Sequence, residues 1–420
     1  MISQNPLTLL TPVRTDCIEK LIEMLERFKV GLNANLNEKF NKLGTLHYAR
    51  WFILDHDSFR DQPAFQLTER LVFSSNFDGG LDDHVTGLVS IFPEYFDDLY
   101  ECCEQYPEPS MRNTETRKNY LMRWKVETTS FYIGAPGRSL QQIQQEDQLK
   151  NFIWDYIRNN KWDGQTAIQI QKAVQQEVDK QPELSWSKQR VRIPKASWPG
   201  RILLFIILVI LSPILIVWIL MVHFFYERRD KNCYDKRSQL NDDKVRRLET
   251  YEDLFNQNQF TQVVVVKPGK VRLITLKGLF LYANTLIRNK YVEGKLMGIP
   301  TIHFARWVLI DNNKHMLFFS NFDGSWNQYL CDFIDKSGWG LTGIFSNTMN
   351  FPKTNFLLTG GAYDEEHFLA WSRGTQILTQ VWYSAYHHLS IKNIVNNTFI
   401  RNELRKNLSE KQAQLFLKRF

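Results

Sequence analysis

The chain has 420 residues, enough for two or three domains at a typical ~150 residues each. It carries 52 Lys+Arg against 45 Asp+Glu, a formal net charge of +7, with 23% charged and 43% hydrophobic residues. This balance excludes a disordered chain, a collagen-like one and a coiled-coil rod, and a negative mean hydropathy excludes a polytopic membrane protein. The five cysteines (Cys17, Cys102, Cys103, Cys233, Cys331) form no C-x-x-C pair, so neither a zinc knuckle nor a disulfide framework is expected. Met1 to Arg14 lacks the basic and apolar regions of a cleaved signal peptide.

In chain order, Leu7 to Val13 reads as a strand and Asp16 to Phe28 as a helix. Leu46 to Leu54 and Arg70 to Asn76 read as a strand pair, with a long connection around Asp55 to Arg70. Asp82 to Cys103 reads as a helix and Lys125 to Ile133 as a last strand, followed by a turn at Gly134 to Gly137.

Ile202 to Tyr226 then carries no charged residue. As one helix it would reach about 37 Å, enough for a ~30 Å hydrocarbon core. Lys188, Arg190, Arg192, Lys195 and Arg201 flank it on one side, and Arg228, Arg229, Lys231, Lys236 and Arg237 on the other, so charge gives no orientation. Ser212 and Pro213 sit near its centre, and proline removes a helix donor. The expectation is a re-entrant hairpin anchor with both flanks at a cytoplasmic, anionic lipid surface; a Pro-kinked single span is the other arrangement.

Beyond it, Thr261 to Val266 reads as a strand and Leu276 to Arg288 as a helix. Ile302 to Ile310 and Met316 to Phe322 read as a hairpin, Trp326 to Asp335 as a helix and Leu341 to Asn347 as a fourth strand.

Two strings recur in order. His47-Tyr48-Ala49-Arg50-Trp51 returns as His303-Phe304-Ala305-Arg306-Trp307, and Ser75-Asn76-Phe77-Asp78-Gly79 as Ser320-Asn321-Phe322-Asp323-Gly324. This reads as a duplication. Each half has the order β-α-β-β-α-β, the ferredoxin-like plan. The strands are apolar on both sides, so a second face must be covered, most simply by the other sheet. The fold class expected is α+β: two ferredoxin-like (βαββαβ) repeats packed as a pseudo-dimer, with an inserted hydrophobic membrane segment. The boundaries are 1–160 for the first repeat, 161–200 for a helical basic linker, 201–226 for the membrane segment, 227–254 for a second basic linker, and 255–420 for the second repeat with a helical extension. Ile202, Pro213 and Tyr226 mark the membrane segment's ends and centre.

On these strings and this plan the chain resembles the dimeric α+β barrel superfamily, which includes dye-decolourising peroxidases and chlorite dismutases, and an uncharacterised bacterial group of that shape. The resemblance implies haem as a cofactor. In those peroxidases a histidine ligates haem, opposite an arginine and the aspartate of a G-x-x-D-G motif. The nearest strings here begin with Ser75 and Ser320, and the proximal ligand implied is His367, on a helix of the second half.

The hairpin brings His303 beside Asp323, and His47 beside Asp78 by repetition. With Arg306 and Arg50 these form two candidate polar clusters, able to tune a general base or orient a metal ligand. The competing reading is structural, with Asp323-Gly324 turning the chain and capping the next helix while Arg306 ion-pairs with the carboxylate. Retention in both copies favours the structural reading. His387-His388 lacks a metal-ligand partner at useful spacing. G-x-x-x-x-G-K-[ST], G-x-S-x-G and H-E-x-x-H are absent. Basic charge gathers beside the apolar segment and at Arg401 to Arg419, the stretch from Arg401 to Lys406 reading as a solvated face. That pattern fits lipid headgroups, so lipid and not nucleic acid is the expected partner. The function expected is a membrane-anchored binding or organising protein; the alternative is a haem-dependent peroxidase-like oxidoreductase.

Overall fold

The computed structural model describes residues 3–32, 36–54, 69–191, 193–230, 242–292 and 294–420. The connection expected around Asp55 to Arg70 lies outside them except at its last two residues, as do Arg192, Lys231, Cys233, Lys236 and Arg237.

The first half contributes β1 (Gln4–Pro12), α1 (Ile18–Gly31), α2 (Asn37–Lys42), β2 (Leu46–Leu54), β3 (Arg70–Asp78), α3 (Leu81–Ile91), α4 (Pro93–Tyr100), α5 (Thr114–Arg123) and β4 (Ser130–Ile133). Helices α6 (Leu140–Asn159), α7 (Ala167–Asp179), α8 (Trp198–Phe225) and α9 (Asp242–Thr250) follow. The second half supplies β5 (Gln257–Val265), α10 (Lys270–Asn289), β6 (Ile302–Ile310), β7 (His315–Asp323), α11 (Trp326–Phe345), β8 (Thr354–Asn355), β9 (Thr359–Gly360), α12 (Glu365–Thr375) and β10 (Val381–Ser384). Helices α13 (Ile391–Leu404) and α14 (Glu410–Leu417) end the chain.

The strands form two antiparallel four-stranded sheets, ordered β1-β3-β2-β10 and β4-β6-β7-β5, beside the small β8-β9 ladder. Each large sheet takes its last strand from the other half of the chain. β4 pairs with β6 through Phe131↔Arg306, and β10 pairs with β2 through Trp382↔Arg50. The exchanged segments start at home. Leu10 N–H donates to Trp124 O at 3.0 Å and Val126 N–H to Thr8 O at 2.9 Å, before the chain crosses to β6. Ile377 N–H likewise donates to Thr261 O at 2.9 Å before the chain crosses to β2. Backbone hydrogen bonds therefore sew the sheets into one ring.

Side chains alternate across this ring as strand geometry requires. Outward, Trp51, Phe73 and Phe77 pack on Leu21, Phe28 and Leu88, while Trp307, Phe318 and Phe322 pack on Leu276, Phe280 and Phe333. Inward, Leu10, Phe52, Leu54 and Val72 meet Val263, Val308, Leu317 and Phe319. The strands are thus covered on both faces, which is why their sequences do not alternate.

Four sequence expectations need correction. Leu341 to Phe345 is not a strand but the end of α11, with Leu341, Ile344 and Phe345 facing the core at helical spacing. The glycines before it, which resemble a break, admit a close neighbour: a Cβ on Gly338 would lie 2.7 Å from the Tyr363 ring. After the short β8 and β9, the next strand to join a large sheet is β10. The helix expected over Asp82 to Cys103 is divided at Phe92, because Pro93 cannot donate within a helix and opens α4 at its first position. The hairpin is replaced by one continuous 28-residue helix, α8, about 42 Å long. Pro213 leaves the carbonyl of Val209 without its helical donor, and the Ser212 hydroxyl supplies a hydrogen bond to it at 2.8 Å. α8 is long and apolar enough to cross a membrane. Lastly, the stretch from Arg401 is not a solvated face. Arg401 is buried, 3.1 Å from Glu146, and α13 packs on α6 as α14 packs on α7.

Phe52 is fully buried and meets Phe319 edge-on at 6.0 Å across the two sheets. Phe52→Ala is expected to cost about 3–5 kcal/mol of unfolding free energy in denaturant titration, against under about 0.5 kcal/mol for exposed Leu415→Ala.

Candidate functional site

At one end of the ring the pairing of β2 with β3 slips between Leu46 and Tyr48, and that of β6 with β7 slips between Ile302 and Phe304. The residue left over is His47 in one sheet and His303 in the other. A bulge re-aims the side chain of its extra residue, and here it points each imidazole at an aspartate. His47 Nε2 lies 3.1 Å from Asp78 Oδ1, and His303 Nε2 lies 2.7 Å from Asp323 Oδ1. The second oxygen of each carboxylate accepts a backbone N–H that opens a helix: Leu140 at 2.7 Å for Asp78, and Ile391 at 2.8 Å for Asp323. These residues begin α6 and α13, whose N-caps are Ser139 and Ser390. A carboxylate at a helix N-terminus is favoured by the orphan amides and the helix dipole. The helix each aspartate serves is therefore the one after the exchanged strand, not the next along the chain.

The arginines do something else. Arg306 and Arg50 make no ion pair with these carboxylates, contrary to expectation. Arg50 crosses the ring to the opposite sheet, donating to Phe260 O at 2.9 Å, Thr261 Oγ1 at 2.8 Å, Ser320 O at 3.0 Å and Asn321 Oδ1 at 2.6 Å. Arg306 crosses the other way, to Leu7 O at 2.6 Å, Thr8 Oγ1 at 3.1 Å and Ser75 O at 2.5 Å. Burial pushes the Arg50 guanidinium down to about 9, so it is still cationic at neutral pH. Burial, with the charge of Arg50 added, also lowers Arg306. Their hydrogen bonds hold the sheets face to face.

The two histidine–aspartate pairs differ in detail. His47 Nδ1 sits 2.9 Å from Tyr386 OH, whereas His303 Nδ1 has no hydrogen-bond partner among the described residues. Tyr48 OH donates to Gln257 Oε1 at 3.0 Å, and burial raises the Tyr48 and Tyr386 hydroxyls well above the usual phenol range. All six residues singled out by sequence, His47, Arg50, Asp78, His303, Arg306 and Asp323, thus lie inside the ring, in two histidine–aspartate pairs and two cross-ring arginines.

The fit to haem is poor. His367 is on the outer side of α12 with Nδ1 2.8 Å from Asp364, and neither described cleft is lined by it. The space behind the inner face of α12, against Phe368 and Trp371, holds about 10 Å³. That is about one water, not a porphyrin. A cleft of about 360 Å³ at the other end of the ring is walled by Arg70, Arg123, Trp124, Lys125 and the 311–313 turn, with no histidine. His387 packs on Phe255 at 5.1 Å and His388 lies 3.2 Å from Asp147. No cluster of three or more metal-ligating residues occurs among the described residues.

Sequence reasoning missed a third recurrence, because it is weak. Tyr132, Ser139 and Leu140 correspond in register and role to Tyr383, Ser390 and Ile391, but only Tyr and Ser are identical. It also missed His84, which stacks on Phe77 at 3.8 Å as Tyr329 stacks on Phe322 at 3.8 Å. Comparison with family models, with curated proteins and with solved structures gave no match.

Asp323→Asn should keep the chain folded but lower its stability by about 1–3 kcal/mol. Hydrogen exchange should show lost protection at the first amides of α13, and unchanged protection there would contradict the capping role. Burial holds His84 down to about 3, from an ordinary 6.5. The unfolded chain therefore takes up a proton that the folded one refuses. This contribution to stability is full above about pH 6.5 and falls by about 1.4 kcal/mol per unit as pH drops towards 3. His84→Tyr, copying Tyr329, should flatten the loss of about 2 kcal/mol expected between pH 6.5 and 5 in urea titrations.

Proposed function

We propose that the protein is a membrane-held binding or organising module, built from two ferredoxin-like repeats closed on one another as a pseudo-dimer. Several features support the repeat: matching strings, matching sheet order, bulges at the same place, and an exchanged strand followed by a serine-capped helix in each half. The plan is that of the dimeric α+β barrels, with both partners in one chain.

The observation that carries the membrane part is the exposure of α8. Phe205, Ile210 and Val217 are 67%, 68% and 67% exposed, and the apolar surface continues from Ile202 to Phe225. A water-soluble monomer rarely shows an apolar patch of more than a few hundred Å². Arg201 lies near one end, and Arg228 and Arg229 at the other, suited to anionic headgroups. A binding role is favoured over catalysis because Asp323 is hydrogen-bonded to His303, both aspartates hold a helix N-terminus, and each arginine is committed to the opposite sheet. The basic, tryptophan-containing cleft beside the 311–313 turn is the open surface of the ring's far end and the place for a partner to engage.

The full chain, purified in detergent, should show no Soret band and take up no added haem. It should float with vesicles containing phosphatidylserine. Arg228→Gln with Arg229→Gln should weaken that binding roughly 30-fold, at ~1 kcal/mol per basic residue. Phe205→Glu with Ile210→Glu and Val217→Glu should abolish flotation and leave the circular dichroism spectrum of the fold. A haem spectrum, or a wild-type chain that stays in the aqueous layer, would contradict the proposal.

A further inference from the structure

Resting on the membrane reading, we infer that α8 is an in-plane anchor: it lies within one leaflet, parallel to the bilayer surface, and does not cross. The first argument is topological. Residues before α8 supply β1 to β4 and residues after it supply β5 to β10, and the two sets exchange strands. Both must occupy one compartment. α8 is a single unbroken helix, the one candidate span among the described residues, so a crossing would put β4 and its partner β6 on opposite faces of the membrane.

The second argument is that α8 is held at both ends to one helix of the ring's outer layer. Near its start, Arg201 Nε donates to Asn289 O at 3.3 Å, and Gly200 lies against the Asn289 side chain with no room for a Cβ. Near its end, Trp218 Nε1 donates to Thr275 Oγ1 at 3.0 Å. Asn289 closes α10 and Thr275 is in its second turn, so the helices run antiparallel side by side for about 20–27 Å. In the last turn of α8, His223 is stacked by Phe356 at 3.9 Å, and just past the helix Asp230 accepts from Lys267 and Arg272, each at 2.7 Å. A helix held lengthwise in this way cannot turn upright in a bilayer without drawing α10, with Lys277 and Arg288, into the hydrocarbon.

The surface chemistry agrees. Leu204, Leu208, Ser212, Trp218 and Val222 fall on one helical stripe and are among the less exposed positions, joined near the end by Ile219, Met221 and His223; the other positions from Ile202 to Leu220 are apolar and exposed. Basic residues at both ends of α8 then lie at the same headgroup level, which a span with equally basic flanks does not achieve. Ile274 and Leu281 of α10, 56% and 71% exposed, extend the apolar surface beside it. The occupant is the acyl–headgroup boundary of an anionic leaflet, the habitat of amphipathic and monotopic helices.

The test adds the full chain, with Cys233→Ser and Cys331→Ser, to preformed sealed vesicles containing phosphatidylserine. Lys195→Cys and Arg229→Cys variants are probed with a membrane-impermeant maleimide. Spin labels at Phe205→Cys, Ile210→Cys and Val217→Cys report depth. The in-plane anchor predicts complete labelling of both flanks from outside and three equal depths, roughly 5–10 Å below the headgroups. Flotation with one flank protected, or with depth greatest near Pro213 and smaller to either side, would overturn the inference while leaving the membrane reading intact. A chain that does not float and forms an oligomer through α8 would overturn both.

Discussion

The backbone hydrogen bonds of β4 on β6 and of β10 on β2 are the constraint from which most of this structure follows. Without them β2 and β6 would each present an unpaired edge, a liability that folded proteins cover or blunt. With them neither half has a complete sheet of its own. Arg50 and Arg306 repeat the constraint with side chains, each hydrogen-bonding backbone carbonyls of the sheet it does not belong to. Asp78 and Asp323 repeat it again, by holding the N-termini of the helices that follow the exchanged strands. Three kinds of polar contact thus lock one topology, while the apolar layers of Phe52, Val263, Phe319 and their neighbours supply the bulk burial.

The same constraint limits what the buried polar residues can do. A histidine–aspartate pair in an open cleft would suit general base chemistry. Here His47, Asp78 and His303 are buried and Asp323 is only slightly exposed, and the carboxylates are shared with helix amides. The arrangement works as a joint, and its rigidity passes to α6 and α13, which pack on each other through the buried Glu146–Arg401 contact. Burial raises the Glu146 carboxyl, against which its bonds to Thr398 and Arg401 act.

Much of the ring was legible from the sequence. The strands around His47, His303, Asp78 and Asp323 were readable because residues buried on both faces leave long apolar runs, and because the polar ones recur with them. The histidine–aspartate pairing followed from hairpin register. What was not legible depends on partners and not on local pattern. β4 and β10 are four-residue strands, and nothing in Ser130 to Ile133 says whose edge they join. Arg306 looks like a neighbour for Asp323 along the chain, yet strand alternation and sheet packing aim it at Leu7 and Ser75. The continuity of α8 through Pro213 rests on one hydroxyl bond from Ser212. Along α11, Gly338 admits Tyr363 and Gly340 admits Met297, close neighbours that a local pattern does not reveal.

Cutting the chain between α8 and α9 and expressing the two pieces separately and together tests strand exchange most directly. The account predicts that neither piece alone shows a cooperative unfolding transition, and that the co-expressed pieces purify as a one-to-one complex that does. Two pieces that each fold as stable monomers, with no affinity for one another, would contradict it.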